Sequence, residues 1–139
     1  MKYVLLAFFL GGVMIAQAGL SRLEALSVIE TADNDKTIGS TGEVSRYQIM
    51  PRTWKQYTPS EDYQNPAVSG WVAARHVQWL DTTFRAKTAR APTEFEIYVM
   101  WNAGLGYYAK KGFNPAKVAP SIRDRAERFQ NLREMKNLQ

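Results

Sequence analysis

A mostly α, single-domain protein is what this sequence predicts, and three observations carry that expectation. Apolar residues recur at helical spacing, most clearly at Val68, Trp71, Val72, Trp79, Leu80 and Phe84. Two capping boxes mark helix starts, Ser21-Arg22-Leu23-Glu24 and Thr93-Glu94-Phe95-Glu96. Proline and glycine punctuate the chain where helices should begin and end, as in Asn65-Pro66 and Asn102-Ala103-Gly104. The 139 residues suit one compact domain, and 45% hydrophobic with 22% charged residues describes a folded chain, not a disordered one.

Residues 1–18 read as a secretory signal peptide. Lys2 supplies the short positive start, Tyr3 to Ala16 are apolar, and Ala16-Gln17-Ala18 is a small-x-small cleavage site. The apolar run is shorter than the roughly 20 residues of a spanning helix. Residues 19–139 are then the mature domain, exported to the periplasm or secreted.

Within that domain, Ser21 caps a first helix that carries Leu23, Leu26 and Ile29 and ends near Glu30 or Thr31. Ala32 to Ser45, rich in Asp, Asn, Gly, Ser and Thr, reads as a long polar loop or short β-hairpin. Pro51 opens a short helix with Trp54. Asn65-Pro66 starts a long helix in which Trp71 and Trp79, like Trp54, are expected in the core and His76 on the solvated side. Gly70 inside it costs about 1 kcal/mol relative to alanine and suggests a close helix crossing. Phe95 to Trp101 is apolar on nearly every side, the pattern of a central buried helix. Ser121 is expected to cap a last helix with Ile122, Ala126, Phe129 and Leu132 inward and the charges from Arg123 to Lys136 on a solvated face.

The composition narrows the chemistry. No cysteine is present, which excludes disulfide scaffolds, thiol catalysis and cysteine-ligated zinc. The one histidine, His76, excludes multi-histidine metal sites and argues against a serine-histidine triad. Asp33-Asn34-Asp35 hints at calcium, but an EF-hand loop needs Gly at Ile38 and Glu at Val44. No metal or other cofactor is expected, and carboxylates must carry any catalysis. A net charge of +5 suits an anionic polymer, yet the export signal and the scattered charges argue against nucleic acid.

Four segments stand in a telling order: Glu30-Thr31 at a helix end, Ser45-Arg46-Tyr47-Gln48, Met50-Pro51-Arg52-Thr53-Trp54, and Met100-Trp101-Asn102-Ala103-Gly104. Together they resemble the lytic transglycosylase domain of the soluble lytic transglycosylase family, in the lysozyme-like superfamily. The resemblance runs from about Leu20 to Gly112. That family shows Glu-Ser, Gly-Leu-Met-Gln, Met-Pro-x-Thr-Trp and Ala-Tyr-Asn-Ala-Gly in these places. Here Thr31 replaces the serine, Tyr47 the methionine, and Trp101 the tyrosine, a phenol that in the family commonly lies beside the catalytic acid. The resemblance implies a lysozyme-like fold and cleavage of the β-1,4 bond between N-acetylmuramic acid and N-acetylglucosamine, leaving a 1,6-anhydro end. It also implies that the catalytic acid is Glu30.

Residue chemistry points to the same acid. Glycosidic cleavage needs a carboxyl still protonated near neutral pH. Glu30 closes a helix, where the macrodipole disfavours negative charge, and should face aromatic walls that disfavour the carboxylate by desolvation. Glu43 is the candidate second carboxylate; the other reading pairs it with Arg46 or with solvent. Tyr47, Trp101 and Tyr107 offer flat faces for sugar rings, and Gln48 and Asn102 offer amides for N-acetyl groups. The alternatives are a muramidase that uses water and a non-catalytic wall-binding or assembly protein on the same scaffold. Peptidoglycan strands are the expected partner, with a secretion or conjugation apparatus as a candidate recruiter, and the protein is expected to be a monomer.

Overall fold

The computed structural model describes residues 19–134, so the signal peptide expected at residues 1–18, and Lys136, lie outside the described residues. Six α-helices make up most of it: α1 (Arg22–Thr31), α2 (Pro51–Trp54), α3 (Pro66–Thr88), α4 (Glu94–Ala103), α5 (Leu105–Lys110) and α6 (Pro120–Glu134). A single 3-10 turn, Pro115–Lys117, joins α5 to α6. The expected mostly α class is what the described residues show.

Both capping boxes form as the sequence predicts. The Ser21 hydroxyl accepts from the Glu24 amide at 3.2 Å while the Glu24 carboxylate accepts from the Ser21 amide at 2.8 Å. Thr93 and Glu96 repeat the exchange at the head of α4. Asn65 caps α3 by accepting from the amides of Ala67 and Val68, with Pro66 at the first helical position. Ser121 is not the cap of α6; the helix already begins at Pro120, so the serine sits in its first turn.

α4 is the hub. It lies along α6 and touches α3 and α5, while α1 packs on α6 and α3. Ile97, Tyr98, Val99 and Met100 are all buried, as an all-apolar helix surface requires. Ala126 and Phe129 of α6, Ala25 and Leu26 of α1, and Val72, Ala73, Leu80 and Phe84 of α3 complete the centre. The one fully buried carboxylate there, Glu96, is satisfied on every side: Arg90 grips it at 2.7 and 2.8 Å and the Tyr108 hydroxyl donates at 2.7 Å, which fastens α5 to α4.

Several packing expectations are overturned. Trp54 is fully buried, but Trp71 and Trp79 are 48% and 47% exposed. The inward face of α3 runs through Ser69, Val72, Ala73, Val77, Leu80 and Phe84, and both tryptophans fall on its flanks. Gly70 marks no helix crossing: a Cβ there would meet only the Tyr47 hydroxyl, at 3.7 Å, so the approaching group comes from the loop. The α6 charges are not simply solvated. Arg133 binds Glu94 at 3.2 Å, and Arg123 donates to the carbonyls of Pro115, Ala116 and Val118.

The polar loop between α1 and α2 holds one isolated antiparallel bridge, Val44 with Ile49, in place of a full hairpin. Reciprocal 2.9 Å backbone hydrogen bonds close it. Ser45 and Gln48 adopt positive φ angles of 67° and 52°, which tighten the turn between them. The loop is tied to α1 by the Thr31 hydroxyl, which donates to the Arg46 carbonyl at 2.9 Å.

Candidate functional site

Glu30 ends up at the floor of a groove of about 330 Å³ between the end of α1, the polar loop, α3, the end of α4 and α6. Its position follows from local structure. α1 stops one residue later because Ala32 and Asp33 both take left-handed angles, and their amides return to the carbonyls of Val28 and Ser27.

The carboxyl of Glu30 is only 7% exposed. Its Oε1 accepts a 2.6 Å hydrogen bond from the Tyr98 hydroxyl, and its Oε2 lies 3.4 Å from the Arg125 guanidinium. Burial is the largest influence and pushes its pKa above the ordinary carboxylate value. The Tyr98 hydrogen bond and the Arg125 charge pull the other way, and the Glu43 charge adds to the upward push. The result is a carboxyl that keeps its proton to higher pH than a solvated glutamate. Burial and the Glu30 charge in turn push the Tyr98 hydroxyl well above the usual phenol range, so it stays a donor.

Glu43 lines the same groove in the opposite electrostatic state. It is not paired with Arg46, which instead grips Asp35 at 2.6 and 2.7 Å. The Thr41 hydroxyl and amide donate to Glu43, and these bonds hold its pKa below the usual value. Gly39 makes this approach possible: a Cβ there would stand 2.0 Å from the Glu43 Oε2 and 2.6 Å from the Gln48 Oε1. The groove thus holds one carboxyl biased toward the protonated form and one biased toward the carboxylate.

Gln48, Trp101 and Asn102 line the groove as well. The Gln48 amide nitrogen donates to the carbonyls of Thr37 and Ser45, so it braces the loop while facing the cavity. Trp101 is anchored by a 3.3 Å hydrogen bond from its indole nitrogen to the Tyr47 carbonyl. Asn102 is exposed at the end of α4, where it lines the groove. Five of the seven expected site residues therefore meet in one place: Glu30, Glu43, Gln48, Trp101 and Asn102.

Tyr47 and Tyr107 do not. Tyr47 is 7% exposed and turns into the core toward Gly70, away from the groove lining. Tyr107 spends its hydroxyl on the Ala119 amide at 3.0 Å and holds the turn before α6.

Three residues in or directly behind the groove wall escape a reading of the sequence alone. Tyr98 hides in the apolar run of α4; a tyrosine in a wholly buried helix needs a partner for its hydroxyl, which is the signal that could have found it. It sits one turn before Asn102 and donates its hydroxyl to Glu30. Arg125 was expected on a solvated face but reaches Glu30 and the Ile29 carbonyl. His76 was expected in solvent too. Instead it lies between Trp79, stacked nearly parallel at 5.7 Å, and Trp101 at 5.3 Å, and its Nδ1 meets the Tyr57 hydroxyl at 2.9 Å. Burial pushes its pKa down to about 4, so it is neutral in the groove wall at physiological pH.

Among the described residues no cluster of histidine and carboxylate side chains has a metal-binding arrangement. No described helix is long and apolar enough to cross a membrane. Comparison with protein-family models, with curated proteins and with solved structures finds no match for this chain.

Proposed function

We propose that the protein is an exported lytic transglycosylase with a lysozyme-like fold, cutting the β-1,4 bond between N-acetylmuramic acid and N-acetylglucosamine in peptidoglycan. The observation that carries this reading is the Glu30 carboxyl: buried on a groove floor, biased toward its protonated form and held by Tyr98. Groove dimensions, flanking amides and an aromatic wall suit an N-acetylated glycan.

In this mechanism Glu30 protonates the glycosidic oxygen as the bond to the anomeric carbon breaks. The neighbouring N-acetyl group of the substrate stabilises the developing positive charge. The 6-hydroxyl of the same sugar attacks the anomeric carbon, and the Glu30 carboxylate takes its proton. The product ends in a 1,6-anhydro ring, and the acid returns to its starting state. Tyr98 keeps one carboxyl oxygen fixed, which leaves the other to face the bond.

A second reading, hydrolysis, is favoured by one observation, the ionised Glu43 in the same groove. There Glu43 would orient a water that attacks in place of the 6-hydroxyl. Digestion of purified sacculi followed by mass spectrometry separates the two. The anhydro product is lighter than the hydrolysed one by one water. Glu30→Gln should abolish digestion under either reading. Digestion that survives this substitution refutes Glu30 as the acid. Wall binding by the wild type without any digestion would favour a binding module on this scaffold.

A further inference from the structure

The groove does not end at Trp101. A second pocket of about 290 Å³ opens beside it between α2, α3 and the end of α4. The two cavities share Met50, Thr53, His76, Trp101 and Asn102, so they are continuous along one wall. The outer wall of the second is Trp79, 47% exposed and stacked at 9° on His76. Unlike the equally exposed Trp71, Trp79 presents its indole to a cavity continuous with the Glu30 groove. Stacking on a neutral imidazole fixes its orientation. Gln56 adds an amide to the lining, and Arg52 adds a cation that makes no ion pair among the described residues.

We infer that this second pocket is a further sugar subsite, in which Trp79 is the platform for an N-acetylated pyranose and Arg52 meets an acidic substituent on it. The inference rests on the glycan-cleaving reading above and deepens it. A flat apolar wall with amide and guanidinium groups at its edge matches the face and polar rim of a pyranose bearing a carboxylate. Continuity with the Glu30 groove makes the next residue of the same strand the occupant. The charge at Arg52 would favour a muramoyl-type sugar over a neutral glucosamine polymer.

The test measures binding by calorimetry with Glu30→Gln protein, which cannot turn over. The ligands are a neutral chitohexaose and a peptidoglycan glycan fragment of equal length with its lactyl carboxylates free. Adding Trp79→Ala should weaken both ligands about tenfold, roughly 1.4 kcal/mol. Trp79→Phe, which keeps a ring, should recover most of that loss. Trp71→Ala, the exposed tryptophan of α3 that lines neither cavity, should leave both affinities unchanged and control for general surface effects. Arg52→Gln should weaken only the acidic fragment, and added salt should erase its effect. Unchanged binding by Trp79→Ala, or equal loss in Trp71→Ala, overturns the subsite. Equal effects of Arg52→Gln on both ligands overturn the acidic preference. If Glu30→Gln binds neither ligand, the glycan reading fails first and this inference falls with it; thermal melting of each variant confirms that the fold is intact.

Discussion

Replacing Tyr98 with phenylalanine probes Glu30 without touching it. The ring of Tyr98 is fully buried and stays in place, so packing is conserved and only the hydroxyl is lost. What disappears is a 2.6 Å hydrogen bond to a carboxyl that is 7% exposed, so water replaces it poorly. A hydrogen bond to a charged group is worth about 1.5–3 kcal/mol, and a neutral pair about 1 kcal/mol. The cost to stability should therefore depend on pH. Burial makes Glu30 keep its proton above the ordinary value of 4.5. Its stabilising contribution is complete below the unfolded value and is lost as pH rises through the folded one. The substitution should cost about 1 kcal/mol in acid, where the carboxyl is neutral, and about 1.5–3 kcal/mol at alkaline pH, where it is charged. Urea unfolding of both proteins across that range reads the difference. The activity profile gives an independent check. The Tyr98 bond favours the carboxylate, so losing it should move the alkaline limb to higher pH. A stability cost that is the same at every pH, with an unmoved alkaline limb, would refute the picture of Tyr98 acting on the charge of Glu30.

Arg125→Gln should shift the alkaline limb in the same direction but by less, because that guanidinium is 39% exposed and such pairs are worth about 0–1 kcal/mol; a pH–rate profile at low salt measures it. His76→Gln should flatten the acid side of the stability curve. The wild type loses at most about 3 kcal/mol as pH falls from 6.5 to about 4, because the buried imidazole resists a proton that the unfolded chain accepts, and urea titration across that window shows it. Trp54→Ala should cost about 3–5 kcal/mol in the same assay, since the indole is fully buried and donates to the Ser60 carbonyl.

The helices were legible because their signals are local. Ser21 with Glu24, Thr93 with Glu96, and Asn65 with Pro66 each satisfy helix-end groups within three residues. The groove was legible in part as well: Glu30, Gln48, Trp101 and Asn102, singled out from the order of their segments, line one cavity. Orientation around a helix was less so. Trp79 sits beside Leu80 in sequence, yet one is half exposed and the other 1% exposed. A rotation of one residue, about 100°, separates a core position from a groove wall, and spacing alone does not fix which side of an apolar stripe meets a neighbour. Arg125 shows a second limit. On α6 it looks like any outward arginine, and only the antiparallel return of α6 against α1 brings it to Glu30. Tyr47 shows a third: the turn with Ser45 and Gln48 at positive φ rotates its side chain inward, a backbone detail that residue type does not announce.

The ionic partners in the loop explain why two carboxyls in one groove hold opposite states. Asp35 is spent on Arg46, and the Arg46 carbonyl is spent on Thr31 at the end of α1, so the loop is fastened beside the acid by groups that take no part in its titration. Glu43 is then left to hydrogen-bond donors from Thr41 and from its own backbone, which favour its charged form. That charge in turn raises the cost of ionising Glu30, which already pays for its burial. Tyr98 and Arg125 oppose this push without cancelling it. The Glu30 proton is therefore held by the difference between opposing influences. Loosening the loop clasp, by moving Glu43 away, should lower the Glu30 pKa, whereas losing Tyr98 should raise it, so the two halves of the site act on the same proton with opposite sign.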